Sequence, residues 1–449
     1  MTAIQPFTFI HAADLHLDSP FKGMSGLPGA VRERIKESTF AALERLVHAA
    51  FREKADFVVI SGDIYDAADR SLRAQLRFQK AVSRLAEAGI GVYLIHGNHD
   101  PMNGGRASLD WPDKVHVFPA DRVESVEVTT RERGIIAEVH GMSFASASVT
   151  ENLARYYRAG RPDVYQIALL HTNVDGDPSH DNYAPCTRQQ LIQSGMHYWA
   201  LGHIHTRAVL HEEPYIVYPG NIQGRSIKEC GPRGCYVVRV GEDGGTDLDF
   251  IELNDIRWEL CKVSIEQLQT EQELKDLIEE ELERLLGEAG GKDVIVRFIL
   301  EGRGPLHLKL RDSHVLDELV QELREEQTAL VTGGAGRTAS FVWIESAVDR
   351  TGRELDLSSL KAEGGFLGDL ISISEELLDS PEQLEAFVLE ACKPLMDNPK
   401  LARALGPALP GRPAELLAAA RSWRWTCSPK TGGGRGENHL HPSGRLRLA

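Results

Sequence analysis

Short apolar runs that break off into polar clusters recur through the first half of the chain. Residues 7–13, 57–61, 92–96, 166–170 and 198–201 are such runs, and each is followed by charged, amide or imidazole side chains. Continuous apolar stretches of this length suit strands buried on both faces. Between the first three runs lie segments of helical period, 31–51 and 72–86, of the kind that cover such a sheet. The pattern predicts an α/β core with its polar clusters at strand ends, the edge at which open α/β sheets bind ligands. Residues 215–218 and 236–240 read as two further strands that close this unit.

The pattern changes near Asn254, so a boundary is expected there, with a first domain over residues 1–254. From 255 to 350 the expected order is strand, helix, strand, helix, strand, with strands at 294–300 and 341–344, and Thr270 with Glu273 forms the T-x-x-E capping box of an acidic helix. This predicts a smaller α+β accessory domain. Residues 351–420 carry leucine-rich, acidic segments of helical period, 360–395 and again near Leu416, punctuated by Pro394, Pro399 and Pro413. Residues 421–449 lose the period, gain glycines and basic residues, and are expected to be disordered.

Charge and composition narrow the function. The 449 residues hold 50 Lys and Arg against 66 Asp and Glu, a net charge of −16, which argues against a polycation that coats nucleic acid or an anionic membrane. A metal-dependent enzyme acting on phosphate is compatible, because bound cations supply local charge that the total omits. No window approaches 18 uninterrupted apolar residues and the start lacks a leader pattern, so no membrane association and a cytoplasmic location are expected. The six cysteines form no C-x-x-C pair and read as reduced structural thiols.

Five polar clusters carry the chemistry: Asp14-Leu-His16, Gly62-Asp63-Ile-Tyr-Asp66, Gly97-Asn98-His99-Asp100, His171, and Gly202-His203-Ile-His205. Each alone is a weak signal, since a D-x-H triplet or a lone histidine is common, but five in order after apolar strands form one constellation. Asp14, His16, Asp63, Asn98, His171, His203 and His205 offer oxygen and imidazole donors without a thiolate, a set suited to Mn²⁺, Fe²⁺ or Zn²⁺ and poorly suited to Ca²⁺. The one-residue spacing in D-x-H and H-x-H puts both side chains on one side of an extended backbone. A carboxylate can bridge two ions, so seven residues can serve a pair of metals. Gly62, Gly97 and Gly202 let the chain turn sharply beside the donors.

The ordered set D-x-H, G-D-x-x-D, G-N-H-D, H and G-H-x-H resembles the calcineurin-like metallophosphoesterase superfamily. The local wording, Ala13 to Asp18, Gly62 to Asp66, and Ala200 to His205 followed by Tyr218-Pro219-Gly220-Asn221, is similar to the SbcD-type DNA repair nucleases and most of all to their YhaO-like bacterial branch. The likeness implies a sandwich of sheets flanked by helices, with an accessory domain and a C-terminal helical region. It also implies two divalent ions, most suitably Mn²⁺, one held by Asp14, His16, Asp63 and His205 and the other by Asp63, Asn98, His171 and His203. His99 falls on the catalytic histidine that is not a ligand, and Asp66 on the residue that orients it. The implied reaction is hydrolysis of DNA phosphodiesters, as exonuclease or endonuclease, by a hydroxide bridging the metals; the implied partners are DNA, an SMC-like ATPase of the SbcC or YhaN type, and a second copy of the chain.

His11, His96, His180, His197 and His307 match no ligand position and read as structural or surface residues, while Tyr65, Tyr218 and Arg225 stand near enough to the motifs to touch substrate. Ser/Thr phosphatases of the superfamily carry Arg directly after the second Asp of G-D-x-x-D, where this chain has Ala67, which argues against that activity. Diesterases of small nucleotides or phospholipids remain an alternative. A metal-free scaffold is disfavoured by the presence of all seven donors.

Overall fold

The computed structural model describes residues 4–397 apart from 22–23, 25–26, 67–70, 105–106, 108, 131, 334–339 and 355–356, together with 413, 414 and 417. The helical segment expected near Leu416 and the tail expected over 421–449 therefore lie outside the described residues, or nearly so. Contacts divide the chain into two compact units, one of residues 1–302 and 308–351, the other of residues 303–307 and those from 352 on.

The first unit begins with β1 (Phe7–Ala12), α1 (Gly29–Arg52), β2 (Phe57–Ser61), α2 (Leu72–Glu87), β3 (Gly91–Ile95) and β4 (Val115–Val117). The chain then crosses to a second sheet through β5 (Glu124–Thr130), β6 (Gly134–Gly141), β7 (Tyr165–His171), the short α3 (Arg188–Ile192), β8 (Tyr198–Gly202), β9 (Ala208–Glu212) and β10 (Tyr215–Tyr218), and returns through β11 (Gly234–Val240) and β12 (Thr246–Glu252). Six strands in the order β12-β11-β1-β2-β3-β4 form the first sheet, and six in the order β5-β6-β7-β8-β10-β9 form the second. At the centre of each the strands run parallel: β1 to β4 in the first, β6, β7, β8 and β10 in the second. Their carboxyl ends consequently share an edge.

Burial on both faces explains the apolar runs. Along β1 and β2, Phe9, Phe57 and Val59 point into the seam between the sheets, where they meet Ile167, Leu169, Tyr198 and Val217. Ile10, Ala12, Val58 and Ile60 point the other way and meet Phe40, Leu43 and Leu46 of α1 and Phe78 and Val82 of α2. The Phe9 and Phe57 rings stack at 5.1 Å with only 2° between their planes, and each such fully buried side chain contributes about 1.5–3 kcal/mol. The second sheet's outer face is covered by its own loops and α3, with Trp199 at the centre of that cluster and its indole N–H donating to Leu191 O. The fold is the calcineurin-like α/β sandwich expected from the constellation, two sheets face to face with helices outside.

The chain continues as β13 (Ile256–Ser264), α4 (Glu271–Glu288), β14 (Asp293–Glu301), α5 (His307–Leu310), α6 (Ser313–Gly333) and β15 (Val342–Asp349), with the three strands parallel in the order β13-β14-β15. Thr270 and Glu273 form the expected reciprocal capping box at the start of α4. Trp258, Ile295, Phe341 and Trp343 of this third sheet bury against Val31 and Ile35 of α1, and Arg34 forms an ion pair with the buried carboxylate of Asp293. The second unit contains α7 (Leu357–Glu363), α8 (Gly365–Asp379) and α9 (Pro381–Met396). Among the described residues, no helix is long and apolar enough to cross a membrane.

Candidate metal centre

All nine residues singled out from the sequence meet at the shared carboxyl edge of the two sheets. Asp14 and His16 follow β1, Asp63 and Asp66 follow β2, and Asn98 and His99 follow β3; His171 ends β7, and His203 and His205 follow β8. Pairing between β1 and β2 continues past the strand ends, with Asp14 N donating to Gly62 O at 3.1 Å and His16 N to Asp63 O at 3.0 Å. The two acid-bearing loops therefore travel together.

The backbone there is strained. Asp14, His16, Asp63 and His203 have φ of 52°, 43°, 51° and 99°, a region that costs a residue with a Cβ about 1–3 kcal/mol and that concentrates at functional sites. Gly62 turns with φ of 91°, as expected, but the more general reason for the three glycines is close approach: a Cβ would sit 2.5 Å from His171 Nδ1 at Gly62, 2.3 Å from Asp63 Oδ1 at Gly97, and 1.9 Å from Ser61 O at Gly202. Small residues let the donors converge.

Ligand-type atoms face one another here, an arrangement that could hold cations. His171 Nδ1 lies 3.0 Å from Ser61 O, an acceptor, so Nδ1 carries a hydrogen and a neutral ring keeps its lone pair on Nε2. That Nε2 lies 3.0 Å from Asn98 Oδ1 and 3.4 Å from Asp63 Oδ2. His203 Nε2 donates to Asp181 O at 2.8 Å and His205 Nδ1 donates to Glu229 Oε1 at 2.7 Å. His205 Nε2 is 3.1 Å from His16 Nε2, near the roughly 3.3 Å expected between two imidazole nitrogens on one tetrahedral ion. Asp14, His16 and His205 form one group whose ligand atoms lie within 4.8 Å of one another, and Asp14, Asp63 and His171 form another. The outer acceptors on His171, His203 and His205 are the usual support of metal-ligating histidine.

The electrostatics agree. Burial pushes Asp14 up to about 6, against the charges of His205 and His171. Burial acts against the charged form of His171, yet the charges on Asp63 and Asp14 raise it to about 9. Two carboxylates buried side by side demand positive charge; a proton on His171 meets part of that demand, and divalent cations meet it fully while displacing the proton. The residues fit the metals.

His99 and Asp66 stand beside this cluster. His99 Nδ1 donates to Asp66 Oδ1 at 2.5 Å, and its ring is 43% exposed while every metal donor but Asn98 and His205 is almost wholly buried. Burial works against the charged form of His99, but the Asp66 hydrogen bond and the charges on Asp63 and Asp66 raise its pKa. Asp66 is held well below the usual carboxylate range: burial opposes this, and His99, His16 and Ser19 outweigh it. Ser19 Oγ and Arg225 Nη1 both donate to Asp66 Oδ2, the latter at 3.2 Å. Asp100 braces the loop, its two oxygens accepting from Gly97 N and Ile64 N.

Some participants left no mark in the spacing. No motif contains Glu229, Ser19 or Asp181, and His180 matches no ligand position, yet its ring lies 5.0 Å from that of His205 and 5.4 Å from that of His203. Glu229 also accepts from Arg225 N, so one turn, 225–229, touches both the His205 and the Asp66 sides of the centre. Of the three residues marked by neighbourhood, Arg225 reaches Asp66, Tyr218 donates to Thr172 O within the core, and Tyr65 is buried against Phe78.

Residues 7–207 match the family described as calcineurin-like phosphoesterase, and residues 258–352 match the middle domain of metallophosphoesterase YhaO. Over 379 residues the chain is 40% identical to the protein named "Uncharacterized metallophosphoesterase YhaO" of Bacillus subtilis (strain 168), covering 84% of this chain and 90% of that one. The chain belongs to the YhaO family of calcineurin-like metallophosphoesterases. The YhaO-type middle domain spans the third sheet, from within β13 to just past β15. A solved dimetal phosphatase from Danio rerio overlaps 54% of this chain and 98% of its own, at 13% identity and a TM-score of 0.31. As a YhaO-family member the protein is a phosphoester hydrolase with a metal-binding site.

Proposed function

We propose that this metallophosphoesterase is a DNA nuclease of the SbcD type that works with two divalent cations, most suitably Mn²⁺. The observation that carries the reading is the pairing of the donor cluster with a half-exposed His99 on the rim of one cavity of about 320 Å³, lined by Asp63, Asn98, His99, His180, Tyr183, His203 and His205 among others. When bound, the cations would neutralise charge on the scissile phosphate and activate water at neutral pH. The chain's own residues do the rest. Asp14, His16, Asp63 and His205 would hold one ion and Asp63, Asn98, His171 and His203 the other. His99, with Nδ1 committed to Asp66, directs Nε2 toward substrate and delivers a proton to the leaving oxygen. Ser19 and Arg225 fix the Asp66 carboxylate, and thereby the ring.

DNA as substrate is supported by the wording of the motifs and by Ala67 in place of a phosphatase arginine. An SMC-like ATPase as partner is supported by the apolar side chains that α8 and α9 leave exposed, Phe366, Ile373, Phe387 and Leu389; removal of residues 355–449 should then abolish co-purification, and loss of self-association instead would assign those helices to a second copy of the chain. The deciding assay is digestion of end-labelled single-stranded, blunt and hairpin DNA with Mn²⁺, with and without chelator, beside bis(p-nitrophenyl) phosphate. Metal-dependent cleavage of DNA is expected. Hydrolysis of the aryl diester with DNA untouched would point to a small-molecule diesterase, and inertness toward both would point to a scaffold.

A further inference from the structure

One wall of the cavity is unaccounted for by metal binding or by His99. It is the loop 175–183, and it is built as a fixed wall. Asn173, fully buried, donates from Nδ2 to Asp177 O at 3.0 Å and to His180 O and Asp181 O at 3.4 and 3.3 Å, and accepts from Asp177 N at 2.6 Å. Asp181 O in turn takes the hydrogen bond from His203 Nε2. The loop is thus tied to a metal-donor side chain from below.

On this wall His180 has a defined hydrogen-bonding face. Ser179 Oγ lies 2.5 Å from Asp177 Oδ1, a separation that two oxygens tolerate only with the hydroxyl hydrogen between them. With that hydrogen committed, Ser179 Oγ is an acceptor for His180 Nδ1 at 2.8 Å. Nδ1 therefore carries the ring's hydrogen, and Nε2 presents a lone pair with no hydrogen-bond partner among the described residues. His180 matches no ligand position of the D-x-H, G-D-x-x-D, G-N-H-D, H and G-H-x-H set, yet it lines the same cavity. A lone pair is repelled by the non-bridging oxygens of a phosphate. It suits a hydrogen-bond donor next to that phosphate, and in a nucleotide such donors are sugar hydroxyls and base amino groups.

We propose that His180 is a substrate-contacting residue whose Nε2 accepts a hydrogen bond from the nucleoside portion of the phosphodiester held at the metal centre. The inference rests on the nuclease reading and sharpens it: the metals and His99 act on phosphorus, and His180 recognises what the phosphate is attached to.

The test uses the full chain loaded with Mn²⁺. Kinetics of wild type, His180→Ala and His180→Gln are compared on a deoxyadenosine dinucleotide and on bis(p-nitrophenyl) phosphate, which offers no hydrogen-bond donor, with metal content and the calorimetric affinity for deoxyadenosine monophosphate measured alongside. His180→Ala should raise KM for the dinucleotide about tenfold with much less change in kcat, and lower the preference for dinucleotide over aryl diester by a similar factor, the scale of one hydrogen bond. Affinity for the mononucleotide should fall in parallel at undiminished metal content, and His180→Gln, whose Oε1 is again an acceptor, should recover part of it. Equal losses on both diesters, loss of metal, or an unchanged KM would each overturn the assignment. A wild type that hydrolyses the aryl diester but no nucleotide overturns the nuclease reading together with this one, whereas an active wild type with an unresponsive variant overturns this one alone.

Discussion

The two sheets bring different chemistry to the edge they share. From the first come every oxygen donor, Asp14, Asp63 and Asn98, together with His16 and the His99–Asp66 pair; from the second come imidazoles alone, His171, His203 and His205. Neither set suffices, since carboxylates buried without cationic partners resist ionisation and imidazoles alone do not neutralise two divalent ions. The contributions are also interlocked. Asp14 of the first sheet accepts His203 N of the second at 3.0 and 3.1 Å, and His171 of the second donates to Ser61 O of the first. The site is a property of the seam, so damage on either side should be felt on both.

The largest effect should come from the first sheet. Asp63→Asn removes the carboxylate expected to serve both ions and should abolish stoichiometric metal binding, lowering diesterase activity by more than about 10³-fold, since the ions supply several kcal/mol of transition-state stabilisation. His205→Ala on the second sheet should lose one ion and a comparable share of activity. Elemental analysis beside turnover checks both; a fully active Asp63→Asn protein would remove the seam as the place of chemistry.

His99→Ala separates metal binding from catalysis. It should keep both ions and lose about 10²–10⁴ in rate on DNA, the usual contribution of a positioned acid, with a smaller loss on an aryl diester whose leaving group needs no proton. Activity on DNA at the wild-type level would end the proposed role.

How far the sequence carried this picture depends on where each residue's signal comes from. β1, β2, β3, β7 and β8 are buried on both faces, so their runs are plain, and the donors that follow them are found by position. β5 and β12 are edge strands in which nearly every residue of Glu124–Thr130 and Thr246–Glu252 is half-exposed or exposed, and β9 shows the same weak alternation; such a strand leaves no continuous apolar run to mark it. Glu229 and Arg225 come from a turn, Ser19 from the loop after β1, and His180 from the long connection, residues 172–187, between β7 and α3. What makes them matter is a contact made in three dimensions, Glu229 against His205 or Ser19 against Asp66, and no spacing rule encodes such a contact. Roles that depend on holding a donor are less legible than the donors themselves.

Glu229→Gln tests that supporting layer on the second sheet. The Glu229 carboxylate is held at about 2: burial opposes ionisation, and the hydrogen bond and charge of His205 overcome it. It is therefore charged at neutral pH and strengthens His205 as a donor. Its amide replacement should weaken metal affinity by about 10–100-fold, the range seen for outer partners of ligating histidines, while excess metal restores turnover. Unchanged affinity in a metal titration would show that Glu229 only anchors the 225–229 turn.

The smallest expected effect tests the seam itself, through a residue that is neither donor nor acid. His11 on β1 is fully buried; its Nε2 donates to Leu201 O at 3.2 Å and its Nδ1 accepts from the Tyr198 hydroxyl at 3.0 Å, so one neutral ring pins the first sheet to β8 of the second. Burial lowers its pKa to about 3. The folded-state value lies below the unfolded value of about 6.5, so between these the unfolded chain binds a proton that the folded one does not, and stability falls as pH drops below about 6.5. Between pH 8 and pH 5 this one residue should remove roughly 2 kcal/mol. His11→Gln keeps a donor for Leu201 and an acceptor for Tyr198 without a titrating group, so it should cost stability at pH 8 and lose less of it on acidification than wild type does. Denaturant unfolding of both proteins with chelator at the two pH values measures the difference, and because every other titrating group is common to the pair, the change in that difference isolates His11. Parallel losses would mean that the ring is not held neutral across the seam.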